Sequence, residues 1–113
     1  MLNQRSFEAV QQATFDSFYC RPLYESYCFA HLPKTFKRLL TGELLAGLPD
    51  DVLTDSQACY ERLIVIVVDG FGWRFLQKYM EELPFLRRFL QQGMVSMMTS
   101  QFPSTTVPHL TCL

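Results

Sequence analysis

Six consecutive aliphatic residues, Leu63-Ile64-Val65-Ile66-Val67-Val68, run directly into Asp69-Gly70. A strand with one wet face alternates apolar and polar positions, because successive side chains point to opposite faces. A run that is apolar at every position suits a strand buried on both faces, as in the parallel sheets of α/β proteins. In such sheets the carboxyl ends of the strands line one edge, and ligands bind outside that edge. Asp69 falls at that edge. A carboxylate after six apolar residues is partly desolvated, and an unpaired buried charge is costly. A cation, backbone N–H groups or a basic side chain must compensate it. Two readings follow: a metal ligand, or a turn aspartate capping a helix that starts near Trp73.

The segment beyond Asp69 predicts the rest of a β-α-β unit. Gly70 and Gly72 permit a tight turn. A helix over about 73–82 places Leu76, Tyr79, Met80 and Leu83 on one face, Pro84 restarts it, and Gly93 stops it. Residues 94–100 read as a second strand, and such crossovers are right-handed with parallel strands. That strand opens into a hydroxyl-rich loop, Ser100-Gln101-Phe102-Pro103-Ser104-Thr105-Thr106-Val107-Pro108-His109-Leu110-Thr111. Pro103 and Pro108 stiffen it. A hydroxyl at the start of the following helix feels the positive end of the helix dipole, which favours an alkoxide and an incoming phosphate. The alternative is an ordinary Ser/Thr cap. A Lewis-acidic metal held by Asp69 would make a threonine alkoxide accessible near neutral pH.

Residues 1–58 read as a helical N-terminal segment and residues 59–113 as the start of an α/β domain. Ser6 is a candidate cap for a helix reaching about Asp16, with Phe7, Val10 and Phe15 as apolar anchors. Pro33 suits the first turn of a helix over 34–40, with Gly42 at its C-terminal turn. Asp50-Asp51 can open another short helix reaching about Tyr60. Between these lies an aromatic stretch, Phe15 to Phe36, with no clean period. It can be a partner-binding surface or part of the core.

Composition narrows the function classes. A chain of 113 residues with 49% hydrophobic and 19% charged residues is globular and one domain at most. Its formal net charge of −1 gives no basic field for nucleic acid or anionic lipid. The longest apolar run is far too short for a membrane span. The N-terminus lacks a signal-peptide core, so the cytoplasm is the expected compartment. Cys20, Cys28, Cys59 and Cys112 form no C-x-x-C pair and are expected to be free buried thiols.

Val68-Asp69-Gly70-Phe71-Gly72-Trp73 followed by Ser100-Gln101-Phe102-Pro103-Ser104-Thr105-Thr106-Val107-Pro108-His109 resembles the alkaline phosphatase superfamily. The branch it looks most like is that of type I phosphodiesterase/nucleotide pyrophosphatase-like proteins. The resemblance implies a partial alkaline-phosphatase-like parallel sheet. It also implies hydrolysis of a phosphodiester or phosphoanhydride in a small-molecule substrate. Asp69 then matches the first metal-binding aspartate, and Thr106 matches the threonine that contacts metal and attacks phosphorus. The family usually places an asparagine after the second proline to hold a phosphate oxygen. His109 stands there in this chain and is expected to bind substrate through a hydrogen bond, or else simply to pack.

Two divalent metal ions, with zinc as the expected metal, are implied as cofactors. The family completes both sites with downstream Asp and His residues. This chain has only His31 and His109, and no Asp or Glu after Glu82. The expectation is therefore an incomplete and inactive fragment of the parent enzyme. A sulfatase-type loop is excluded because no Arg follows the second strand, and neither a Walker loop nor a dinucleotide fingerprint is present. The alternatives are a phosphoglycerate mutase-like member of the same superfamily and a non-catalytic α/β interaction module.

Overall fold

Asn3 opens the first helix. Its side-chain oxygen accepts the Ser6 N–H at 3.1 Å, satisfying one of the donors a helix start leaves free, and α1 runs Gln4–Ala13. The sequence points to Ser6 as the cap. That hydroxyl is used elsewhere: it donates to the Asn3 carbonyl at 2.8 Å and accepts the Met97 N–H at 2.9 Å. The computed structural model describes residues 1–55 and 59–113. Within them, α2 spans Leu32–Thr41, with Pro33 in its first turn and Gly42 at φ 71° as its left-handed cap, as the sequence predicts. The helix expected from Asp50 is a single 3₁₀ turn, Asp50–Val52, and its stretch over residues 56–58 lies outside the described residues. Helices α3 (Trp73–Tyr79), α4 (Pro84–Gln92) and α5 (Thr106–Cys112) follow. Gly72 caps α3, and Pro84 restarts the chain where expected.

The expected parallel β-α-β sheet does not form. Among the described residues there is no sheet, only isolated bridges. Residues 63–68 carry the right side chains for a buried strand, yet no ladder engages them, and Ile64 and Ile66 are 85% and 80% exposed. A parallel strand is stable only when neighbours satisfy its backbone and layers cover both faces. Two strands alone supply neither. The second expected strand, residues 94–100, pairs instead with the N-terminal half. Leu2 bridges Val95 and Cys28 bridges Thr99, both in parallel. The backbone bonds run Asn3 N–H to Val95 O (2.8 Å), Val95 N–H to Met1 O (2.8 Å), Phe29 N–H to Thr99 O (3.0 Å) and Thr99 N–H to Tyr27 O (2.9 Å). Between these two bridges, the Ser6 hydroxyl takes the Met97 N–H.

The core follows this arrangement. Val10, Tyr27, Cys28, Leu39, Leu48 and Leu86 are buried, together with the polar Asn3, Ser6, Thr35, Thr99 and Gln101. The aromatic stretch divides: Tyr27 is buried and Phe29 half-buried, whereas Phe15 and Phe18 are exposed and Phe15 stacks on Tyr19. Cys28 is the one cysteine inside; Cys20, Cys59 and Cys112 are exposed free thiols. No helix of the described residues is long and apolar enough to cross a membrane.

Two consequences are measurable. Ser6→Ala strands the part-buried Met97 N–H without its acceptor, which costs about 1 kcal/mol, the low end of the penalty for an unsatisfied donor. Urea unfolding of the chain should register a loss of that size. Tyr27 donates to Asp51 Oδ2 at 2.7 Å, and burial first, then this hydrogen bond and the Asp51 charge, push its pKa up to about 12. Folding therefore favours the protonated phenol. That stabilisation is complete below the unfolded value near 10 and is lost as pH rises through about 12. Ultraviolet titration should find one tyrosine ionising late, and Asp51→Asn should bring its midpoint down.

Candidate functional site

Asp69 and Thr106 are brought together. The Thr106 hydroxyl lies 3.2 Å from each oxygen of the Asp69 carboxylate and donates to it. Asp69 Oδ1 also accepts the Gly70 N–H at 2.9 Å. Gly70 sits at φ 71°, a left-handed conformation that disfavours any side chain bearing a Cβ. The glycine thus turns the chain sharply after residues 63–68 and leaves the carboxylate at the bend.

Thr106 arrives from the other side as the first residue of α5. The loop that delivers it is tied at both ends. Gln101, 8% exposed, donates through Nε2 to the Pro108 carbonyl at 2.8 Å and to Cys112 Sγ at 3.2 Å, so it bridges the loop entrance to α5. The Phe102 N–H donates to the Tyr24 hydroxyl at 2.9 Å, and the Thr105 N–H to the Pro103 carbonyl at 2.9 Å. Pro108 is harmless in the first turn of α5, where its missing N–H would have no helical partner. Ser104 and Thr105 line the same cavity as Asp69 and Thr106.

His109 lies one turn along α5 from Thr106. Its Nδ1 is 2.5 Å from the Thr105 carbonyl, and its ring meets Phe29 edge-on with centroids 4.5 Å apart. A carbonyl only accepts, so Nδ1 carries the proton and Nε2 of the neutral ring carries the lone pair. The neutral imidazole therefore has an acceptor free, and it becomes a second donor only when protonated. Asp69, Thr106 and His109 all line one cavity of about 560 Å³, together with Val67, Phe71 and Leu110.

The donor set bears on a metal. Tetrahedral zinc with ~2 Å bonds has ligand–ligand edges of about 3.3 Å. The 3.2 Å separation of Thr106 Oγ1 from the Asp69 oxygens matches one such edge. Among the described residues, no three His, Cys, Asp or Glu side chains converge elsewhere or here. The oxygens present thus fit part of one ion's shell and leave a second ion without ligands.

Tyr24 and Gln101 also hold the site, and no sequence motif marks either of them. Neither carries reactive chemistry, but each fixes the loop from a distance. A glutamine between the Thr99-Ser100 pair and Phe102-Pro103 is the only sequence signal for Gln101.

Residues 63–113 match the family model of type I phosphodiesterase / nucleotide pyrophosphatase. The resemblance carried by the two motifs is thereby borne out over this part of the chain. That family consists typically of metal-dependent hydrolases. No curated protein and no solved structure matches significantly.

If Gln101 anchors α5, Gln101→Ala should cost about 0.5–2 kcal/mol and speed amide exchange in residues 104–112. Residues 4–13, which Gln101 does not touch, should exchange as before. Equal acceleration in both regions would mean that Gln101 supports the fold generally rather than the loop.

Proposed function

We propose that the segment matching the type I phosphodiesterase / nucleotide pyrophosphatase model hydrolyses a phosphodiester or phosphoanhydride, with Thr106 as nucleophile and Asp69 as a metal ligand. The observation that carries this reading is the 3.2 Å contact between the Thr106 hydroxyl and the Asp69 carboxylate at the end of an apolar segment. A nucleophile needs its proton directed away from the electrophile, and this hydroxyl already gives its proton to a carboxylate. Of the two divalent cations this chemistry calls for, zinc the favoured metal, these oxygens would hold part of one ion's shell. Bound there, such a cation supplies Lewis acidity that lowers the hydroxyl's pKa and offsets charge on the phosphoryl oxygens.

Thr106 Oγ1 attacks phosphorus, the P–O bond to the leaving group breaks, and a phosphothreonine ester remains. Water then attacks that ester and restores the hydroxyl. Ser104 and Thr105 contribute hydrogen bonds from the same cavity wall, and His109 stands within reach of whatever phosphoryl oxygen or ion occupies it. Phe71, Val67 and Leu110 form the apolar part of that wall and are themselves open to solvent. The substrate is a small phosphoester.

Two assays test the reading. The 113-residue chain with added Zn²⁺ should hydrolyse an aryl phosphodiester no faster than its own Thr106→Ala variant, because one partial ligand shell does not make a site for two ions. Where the remaining ligands are supplied, Thr106→Ala should reduce turnover by about 10³-fold or more, whereas Ser104→Ala and Thr105→Ala each remove one hydrogen bond and cost about tenfold. Thr106→Ser keeps the oxygen and should retain partial activity. Near-normal turnover in Thr106→Ala with a dead Ser104→Ala would move the nucleophile two residues upstream.

A further inference from the structure

We infer that the outer face of α4 is a self-association surface, on which two copies of the chain pair antiparallel about an axis at Phe85. A helix lying on a core needs one apolar stripe, and α4 carries two. In the first, Leu86 is buried and Leu90 half-buried. In the second, Phe85 and Phe89 are 69% and 50% exposed. Their rings meet edge-on with centroids 5.2 Å apart, so they form one aromatic patch. With Arg88, Gln92 and Gly93 they line a cavity of about 290 Å³. Positions 85, 88, 89 and 92 follow the spacing of a single helical face.

The charges around this patch select its occupant. Glu81 and Glu82 stand just before α4, and Arg87 and Arg88 lie within it. Arg87 donates to the Glu81 carbonyl. The Arg88 side chain and the Glu81 and Glu82 carboxylates make no ion pair among the described residues. Glu82 comes three residues before Phe85, and Arg88 three residues after it. An antiparallel copy crossing at Phe85 therefore sets Glu82 of each chain across from Arg88 of the other, with the two Phe85 rings between them. A parallel copy would set like charges together. A patch that is complementary to itself is what a two-fold axis requires, and such a contact closes at two copies. The aromatic centre supplies affinity, and the flanking charges fix orientation. A helix of 9 residues offers less than the roughly 1,200 Å² at which stable interfaces begin, so this dimer is weak and forms at high concentration.

Sedimentation velocity of the 113-residue chain, over concentrations reaching the millimolar range, tests this. A reversible monomer–dimer equilibrium is expected, and salt should weaken it. Phe85→Asp should abolish it. Arg88→Glu and Glu82→Arg should each weaken dimerisation by about tenfold or more, because each sets like charges across the axis twice. The double variant Glu82→Arg/Arg88→Glu should restore dimerisation to within about threefold of wild type. All three positions are exposed, so every variant should keep the wild-type circular dichroism. A chain that stays monomeric at every concentration overturns the inference and leaves this face to a different partner. Association that Phe85→Asp leaves unchanged runs through another surface, such as the exposed residues 64–68, and overturns it as well. If both single charge variants weaken the dimer and the double variant does not recover, the antiparallel pairing is wrong.

Discussion

Thr99 is where the two halves of the chain are joined, and the geometry downstream depends on it. Its N–H donates to the Tyr27 carbonyl, its own carbonyl accepts the Phe29 N–H, and its hydroxyl donates to Tyr27 O at 3.1 Å while accepting the Leu23 N–H at 2.9 Å. At 5% exposure these groups have little access to water, so each must find its partner in the protein. One residue later the chain enters the hydroxyl loop. The position of Thr106 is therefore referred, through Thr99 and Gln101, to the N-terminal half. Tyr24 and Phe29 belong to that half as well, and they touch the loop backbone and the His109 ring directly. The aromatic stretch thus serves as the mould for the site as well as a source of core.

Local rules were legible wherever the signal and the answer were both local. Pro33 and Gly42 bracket α2, Pro84 and Gly93 bracket α4, and Gly70 with Gly72 breaks the chain before α3. Each acts through its own backbone, so no distant partner can overrule it. The sheet was a different matter. Residues 63–68 and 94–100 have strand-like composition, but a strand is defined by what lies beside it. Val95 and Thr99 found partners in Met1, Asn3, Tyr27 and Phe29, which no periodicity in residues 1–58 announces. The Ser6 cap failed for the same reason: its hydroxyl serves Met97, 91 residues away, and Asn3 takes over the capping.

The candidate site shows the same division. Residue type and motif order point to Asp69 and Thr106, and their side chains do meet. What His109 offers could not be read, since a sequence does not say which ring nitrogen holds the proton. The Thr105 carbonyl decides that, and it decides it four residues away on the same turn of chain. Gln101 and Tyr24 were invisible as positioning residues because their hydrogen bonds are made to backbone atoms, which every residue possesses.

The exposed apolar segment before Asp69 is tied to the chemistry through the dielectric. Residues 64–68 are all exposed, and Phe71 and Phe75 continue the apolar surface beyond the turn. With water on this side, the Asp69 carboxylate needs little more than the Gly70 N–H and the Thr106 hydroxyl to satisfy it. Covering the same face would remove that water. A charge in a drier site pays a growing desolvation cost, while its attraction to a cation strengthens as the effective dielectric falls. Two neutral donors cannot then compensate a full negative charge, but a divalent ion can. If Asp69 ligates a metal as proposed, burial of residues 63–68 and affinity for that ion are coupled with the same sign: whatever covers the segment raises the demand for the ion, and the ion in turn lowers the cost of covering it.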